Sequence, residues 1–440
     1  MIDKTRILET LTEWNYWKRE LPDTIVRERY ESEVLHKSTT GEIVILKGVR
    51  RSGKSTILIN TIKRLLEKGV DRNDILFINL EDPRFINDLN VDLLSQIRDT
   101  YLEYLNPSGI PYIFLDEIQN ISGFDKWLLK EYELKTSRIF VTGSNAKLLS
   151  REIGTALSGR YLDVTVFPLD FREYLAFNGM DIKNRLDFTE HRIKVNRIFK
   201  EYITFGGFPR VALTDELELK KAELKAYFDS IMLRDIVARY RLENVEALMG
   251  LSVYLLSNIS NLLSLNAIKK HFKLSFDLIS RYVEYLENAY LVFRVPLFDW
   301  SLKKQQVNPK KVYSIDTGLS HIVSFKVGQK TGGRLENLVF LELLRRNKEI
   351  YYYKTTGNLE VDFVVKENER ITQFIQVSAG INDEKTKARE IRALIKAGNE
   401  IPHAGGAALV LLVPDINEIV QHNGKEVHIK DVKAWLLGIE

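Results

Sequence analysis

Gly48-Val49-Arg50-Arg51-Ser52-Gly53-Lys54-Ser55-Thr56, directly after the apolar run Ile43-Val44-Ile45-Leu46, decides how the first part of this chain folds. The nonapeptide has the spacing G-x-x-x-x-G-K-[ST] of a phosphate-binding loop. Two glycines allow a tight turn that aims backbone N–H groups at phosphate oxygens, and the loop feeds the positive end of a helix starting near Lys54. Gly48, Arg51, Ser52, Gly53, Lys54, Ser55 and Thr56 are therefore the expected nucleotide contacts. Lys54 is expected to neutralise the β- and γ-phosphates, and Ser55 to place its hydroxyl on a magnesium ion. Ile57, Ile59, Ile62, Leu65 and Leu66 give the following helix a core-facing stripe.

A second part of the site is expected at Tyr112-Ile113-Phe114-Leu115-Asp116-Glu117, a buried-strand run ending in two carboxylates. This is a Walker B pattern: Asp116 for the metal, Glu117 to orient and polarise the attacking water. A further strand, Arg138-Ile139-Phe140-Val141-Thr142-Gly143-Ser144-Asn145, ends in small polar residues suited to sensing the γ-phosphate, with Asn145 or Ser144 in that role. Strands at about 43–47, 75–80, 112–116, 138–142 and 161–166 alternate with helical stretches, which predicts an α/β fold with a parallel sheet covered on both faces. Asn79 can pair with Glu117, or Glu81 or Asp82 can line the site; the residues leave this open. Arg160, just before the fifth strand, is a candidate arginine finger in cis or in trans, with Arg50 and Arg51 as rival cations.

The segments GVRRSGKST (48–56), FINLEDPRF (77–85), YIFLDEIQN (112–120), FVTGSNAKLL (140–149), LSGRYLDVTVFPLDFREYL (157–175) and ITFGGFPRVAL (203–213) together resemble prokaryotic, largely archaeal, P-loop ATPases of the AAA+/STAND type. Members commonly carry a winged-helix segment and a C-terminal restriction-endonuclease-like domain. The resemblance implies Mg2+-dependent ATP hydrolysis, with ATP and Mg2+ as cofactors, and DNA transactions in some relatives.

The rest of the composition is consistent with this. A chain of 440 residues has room for several cores. With no cysteine, disulfides, thiolate zinc sites and cysteine nucleophiles are excluded. No run approaches ~20 uninterrupted apolar residues, and the start Met1-Ile2-Asp3-Lys4 has no apolar signal core, so a cytoplasmic protein without a membrane role is expected. A net charge of +4 means that any nucleic-acid binding must come from local clusters.

Four regions are expected: an ATPase core with an N-terminal helical segment over 1–180, a helical lid over 181–245, a winged helix over 246–325, and a degenerate nuclease-like α/β domain over 326–440. In the third, Leu265, Ile268 and Phe272 stripe one short helix; Ile279, Tyr282, Val283 and Leu286 stripe the next. Two strand-like runs follow, joined by a basic loop. Lys269, Lys270, Lys273, Arg281 and the wing lysines Lys303, Lys304, Lys310 and Lys311 are the expected DNA contacts, made to phosphates, although Asp277, Glu284 and Glu287 share the second helix.

In the last region, Glu336 on a helix and Asp362 on a strand resemble the PD-(D/E)XK nuclease pattern. The next strand offers Gln376-Val377-Ser378 where that pattern needs an acid and a lysine. Glutamine is a weak ligand for a hard cation and serine cannot replace lysine, so a degenerate site is expected, with Lys385 or Lys387 as the only partial substitutes. The function expected is Mg2+-dependent ATP binding and hydrolysis, acting on or with DNA at forks, branches or ends, in a chain that can form homo-oligomers. The alternative is a nucleotide-controlled switch that assembles protein partners without DNA.

Overall fold

The computed structural model describes residues 3–145, 157–324, 331–402, 404–422 and 424–440. Residues 146–149, the end of the fourth quoted segment, lie outside them.

The first compact unit comprises Met1–Phe167 with Asn288–Tyr290. Its sheet contains β1 (Ile43–Lys47), β2 (Ile75–Asn79), β3 (Tyr112–Asp116), β4 (Arg138–Gly143) and β5 (Tyr161–Thr165). All pairs are parallel and the order is β2-β3-β4-β1-β5. The strands read as nearly continuous apolar runs because both faces are covered. Ile43 and Ile45 join a core with Ile7, Leu94 and Leu128, from helices Lys4–Trp14, Val91–Leu105 and Phe124–Leu134. Val44 and Leu46 point the other way, toward Val34, Ile57 and Ile62 on helices Glu28–Ser38 and Lys54–Glu67. The period-2 alternation of one strand thus serves two separate layers. Inserting β4 between β1 and β3 brings the loop after β1 and the acids ending β3 to one edge of the sheet.

The second unit comprises Pro168–Glu287 and Leu291–Glu440. Its helix Phe171–Phe177 opens with a capping box between Asp170 and Glu173. Phe171, Tyr174 and Leu175 pack with Val195, Phe199 and Tyr202 in a core that also holds Val410 and Trp435. The continuous part of the first compact unit accordingly ends at Phe167. Helix Arg192–Phe205 stops at Gly206, where a Cβ would lie 1.9 Å from Asp316 Oδ1. Helix Leu217–Ser230 continues as a π-helical stretch, Ile231–Ala238.

Helices Val245–Leu256, Leu265–Phe272 and Phe276–Asn288 accompany an antiparallel sheet of β6 (Asn261–Leu263), β7 (Val292–Val295) and β8 (Lys310–Ser314), in the order β6-β8-β7. Lys273 turns between two of these helices with φ of 54°. The last part carries β9 (Glu349–Lys354), β10 (Glu360–Glu367), β11 (Arg370–Val377), β12 (Ala408–Val413), β13 (Glu418–His422) and β14 (Lys425–Asp431), in the order β13-β14-β12-β11-β10-β9. Leu335 and Leu338 of helix Thr331–Arg345 pack on one face, against Phe363 and Ile375. Ile391 and Leu394 of helix Glu384–Glu400 cover the other, against Val364 and Phe374. No described helix is long and apolar enough to cross a membrane.

Candidate active site

The loop after β1 is shaped by its two glycines. A Cβ at Gly48 would lie 2.2 Å from the carbonyl oxygen of Val166, and Gly53 caps helix Lys54–Glu67 with φ of +97°. Lys54 is buried and donates its ammonium to the carbonyls of Gly48 and Val49, each at 3.1 Å. Its charge is thus held over the loop by partners that a phosphate oxygen can replace. Ser52 is buried, and its Oγ has no hydrogen-bond partner among the described residues. Arg50 donates to both carboxylate oxygens of Glu81, at 2.8 and 3.3 Å, and Arg51 stands exposed with φ of 69°. Ser55 and Thr56 open the helix, both half-buried.

At the neighbouring strand ends, Thr142 on β4 organises both acids. Its hydroxyl donates to Asp116 and accepts the backbone N–H of Glu117 at 2.9 Å. The Ser55 hydroxyl lies near enough to Asp116 to favour its ionised form. Burial, followed by the adjacent Glu117 carboxylate, pushes the Asp116 carboxyl up to about 6; Thr142, Ser55 and Lys54 oppose that shift. Glu117 adopts a left-handed conformation, φ 59° and ψ 49°, which is unusual for a non-glycine residue and turns the chain directly after Asp116. Its carboxylate accepts from Gln119 Nε2, which also lies 3.4 Å from Ser144 Oγ. Ser144 and Asn145 are buried at the end of β4. The P-loop hydroxyl, both acids and the polar end of β4 therefore meet at one sheet edge.

The alternatives around β2 resolve differently. Asn79 accepts the N–H of Glu81 at 2.8 Å, and Glu81 serves Arg50. Asp82 belongs to Arg84 and to Trp14 Nε1 at 2.8 Å; Arg84 first, with Trp14, holds its carboxyl down to about 2. Arg160 lies at the opposite edge. Its carbonyl accepts the N–H of Ile43 at 3.1 Å, beside the first residue of β1, and its guanidinium is 3.6 Å from Glu133. At about 3.3 Å per residue the length of β1 separates it from Gly48 by roughly 16 Å, more than an arginine side chain spans.

Arg27, Thr142 and Gln119 were not singled out by sequence patterns. Buried Arg27 donates to the carbonyls of Ser52, at 2.8 Å, and Phe167, at 3.0 Å, and stacks on Tyr30. Its only sequence signal is an arginine in an otherwise ordinary N-terminal segment.

In the second unit, Lys269, Lys270, Lys273, Arg281, Lys303 and Lys304 are exposed. The β7–β8 connection is not a simple basic loop, because Lys303 and Lys304 lie on helix Leu302–Val307. Lys310 begins β8 and is half-buried. Lys311 cannot meet a phosphate: it is 1% exposed and pairs with Glu336, Glu360 and Asp362. Glu336, Asp362 and Gln376 do converge, with Gln376 Oε1 accepting the Asp362 N–H at 3.2 Å. Lys387 is engaged elsewhere, 2.8 Å from Glu418.

Residues 40–175 match the model of an AAA domain, while residues 196–330 and 331–430 match two domains of unknown function. A Walker-type ATPase of Pyrococcus abyssi is similar at 16% identity over 68% of this chain and 96% of that one, with a TM-score of 0.45. An uncharacterized protein of Methanocaldococcus jannaschii, MJ1544, is 37% identical over 371 residues, which are 82% of this chain and 80% of the relative. An uncharacterized protein of Haemophilus influenzae is 32% identical over 363 residues, 80% of this chain and 86% of the relative. The chain belongs to the family of these archaeal and bacterial proteins, with an AAA-type P-loop ATPase domain in its first part.

Proposed function

We propose that the first unit binds ATP with Mg2+ and hydrolyses it, and that the second unit applies this cycle to DNA. The meeting of Ser55, Lys54 and Thr142 around the buried Asp116 carries the ATPase reading, because it brings together the hydroxyl and the carboxylate that a P-loop site uses for its metal. Both are hard oxygen donors, which suits magnesium, with phosphate oxygens and water completing the shell. When bound, the ion neutralises charge on the β- and γ-oxygens. The chain's own residues supply the rest. Lys54 exchanges its two carbonyl partners for phosphate oxygens, and the loop N–H groups and the helix N-terminus cradle the phosphates. Glu117 polarises a water and takes its proton, while Ser144 and Asn145, at the end of β4, sense the γ-phosphate. Arg160, on the far edge of its own sheet, acts on the nucleotide of a neighbouring copy in a homo-oligomer.

The DNA part rests on the exposed basic residues Lys269, Lys270, Lys273, Arg281, Lys303 and Lys304 around the three-stranded sheet. It also rests on the element order there, helix-strand-helix-helix-strand-helix-strand, which resembles a winged helix with a short helix, Leu302–Val307, inserted between its last two strands. Contacts of this kind go to phosphates and weaken with salt. The test is the steady-state ATPase rate with and without Mg2+, and with single-stranded, duplex and branched DNA at two salt concentrations, using Lys54→Ala as the blank. No Mg2+-dependent turnover above that blank removes the ATPase reading. Turnover indifferent to every DNA, with no DNA retained in a gel assay, favours the protein-assembly switch, which the acids Asp277, Glu284 and Glu287 beside the basic residues also suit.

A further inference from the structure

The ammonium of Lys311 lies 2.9 Å from Glu336 Oε1, 2.6 Å from Glu360 Oε1 and 2.9 Å from Asp362 Oδ1. Tyr313 donates to the same Glu336 oxygen at 2.7 Å, and Asp362 Oδ2 accepts the N–H of Val377 at 3.0 Å. Three elements distant in sequence thus meet on one nitrogen: β8, helix Thr331–Arg345 and β10. In nucleases of the resembled pattern, two acids in these places hold a divalent cation. Here the residues do not fit one. The space between Glu336 and Asp362 is taken by Nζ, the third position is a neutral glutamine committed to a backbone N–H, and no cluster of three His, Cys, Asp or Glu among the described residues is arranged around a metal.

We propose that Lys311 is the built-in cation of this pocket, replacing a divalent metal and fastening β8 to the C-terminal sheet, so that the domain carries no metal-dependent cleavage chemistry. Charge supports this. Burial pulls the Lys311 ammonium down, but Asp362, Glu336 and Glu360 more than compensate and leave it raised well above its ordinary value. Burial and then Asp362 push Glu336 up to about 8, which favours its protonated form. A protonated Glu336 leaves the ammonium facing two carboxylates, Asp362 and the partly exposed Glu360, and a divalent ion would first have to expel a lysine held by three partners. Removing the lysine leaves buried acids unpaired, a loss that is large for any buried ion pair.

The experiment uses the full chain, melted with EDTA or with millimolar Mn2+. The wild-type melting temperature is expected to be the same in both. Lys311→Met is expected to melt lower, by on the order of 10 °C, as befits an orphaned buried charge in a domain of this size. Mn2+ should restore part of that loss, and the restoration should vanish in Lys311→Met/Asp362→Asn. Stabilisation of the wild type by Mn2+ that Asp362→Asn abolishes would overturn the proposal. So would a Lys311→Met chain as stable as wild type, or one that folds and ignores Mn2+. If Lys311→Met does not fold, Glu336→Gln and the wild-type titration still decide. Glu336→Gln mimics the protonated acid, so its melting temperature should match wild type within a few degrees, and a loss as large as that of Asp362→Asn counts against the proposal.

Discussion

The hydroxyl of Thr142 accepts the backbone N–H of Glu117 at 2.9 Å, so a side chain on the strand beside β3 fixes where Glu117, the acid proposed to polarise water, leaves that strand. The same oxygen donates to Asp116, which binds the two acids into one rigid turn. Thr142→Val keeps the shape and removes both bonds. Losing hydrogen bonds to a charged group costs about 1.5–3 kcal/mol, and the turnover number should fall by about 10–100-fold. Nucleotide affinity should stay near wild type, because Lys54 and the loop are untouched. Equilibrium binding and initial rates check this; a variant that loses binding and turnover together would mean Thr142 only supports the fold.

Lys54→Ala and Glu117→Gln should separate binding from chemistry. The first removes the charge now shared by the Gly48 and Val49 carbonyls and should abolish measurable nucleotide binding. The second keeps the size of a side chain that Gln119 already holds, so it should bind normally and lose about 100-fold or more in rate, as expected for a removed general base. Normal turnover in Glu117→Gln would take the water-polarising role away from this residue.

Asp116 should give the unliganded protein a pH-dependent stability. Its ordinary value of 3.8 is raised to about 6 in the folded chain, first by burial and then by Glu117. Between these values the unfolded chain has lost the proton and the folded chain retains it, so this residue's contribution falls as pH rises through the window. Thermal melts across the window should show wild type losing stability relative to Asp116→Asn. Equal slopes in the two proteins would show that the carboxyl is not perturbed in this way.

Arg160 should act only between subunits. Arg160→Ala should hydrolyse slowly with nearly unchanged nucleotide binding, and mixing it with Glu117→Gln subunits should recover activity that neither has alone. Failure to recover activity from mixtures shown to co-assemble would remove the trans assignment.

Arg27→Ala should destabilise the first unit by about 2–4 kcal/mol, since two buried carbonyls, those of Ser52 and Phe167, lose their donor. Chemical denaturation measures this. An unchanged transition midpoint would mean that water replaces the guanidinium.

The ATPase fold and most of its site are legible in the sequence, because both depend on local pattern. Ile43-Val44-Ile45-Leu46 can only be a strand buried on both faces, Gly48 and Gly53 are required by backbone conformation and close approach, and Asp116 and Glu117 are placed by the end of their strand. Five strand positions read from apolar runs agree with the five observed to within one residue at each end. Long-range contacts decide the remainder. The order β2-β3-β4-β1-β5 brings Thr142 beside Asp116, which does not follow from spacing along the chain. The boundary at Phe167 follows from apolar packing of Phe171 and Tyr174 with helix Arg192–Phe205, which a capping box and a helical period cannot assign to one core or another. Lys311 is the sharpest case. In sequence it is one of several lysines in a basic stretch, and only the pairing of β8 turns it inward to Glu336 and Asp362. A lysine's type is the same on a surface or in a pocket; its partners are set by strand register and by acids brought from 25 and 51 residues away.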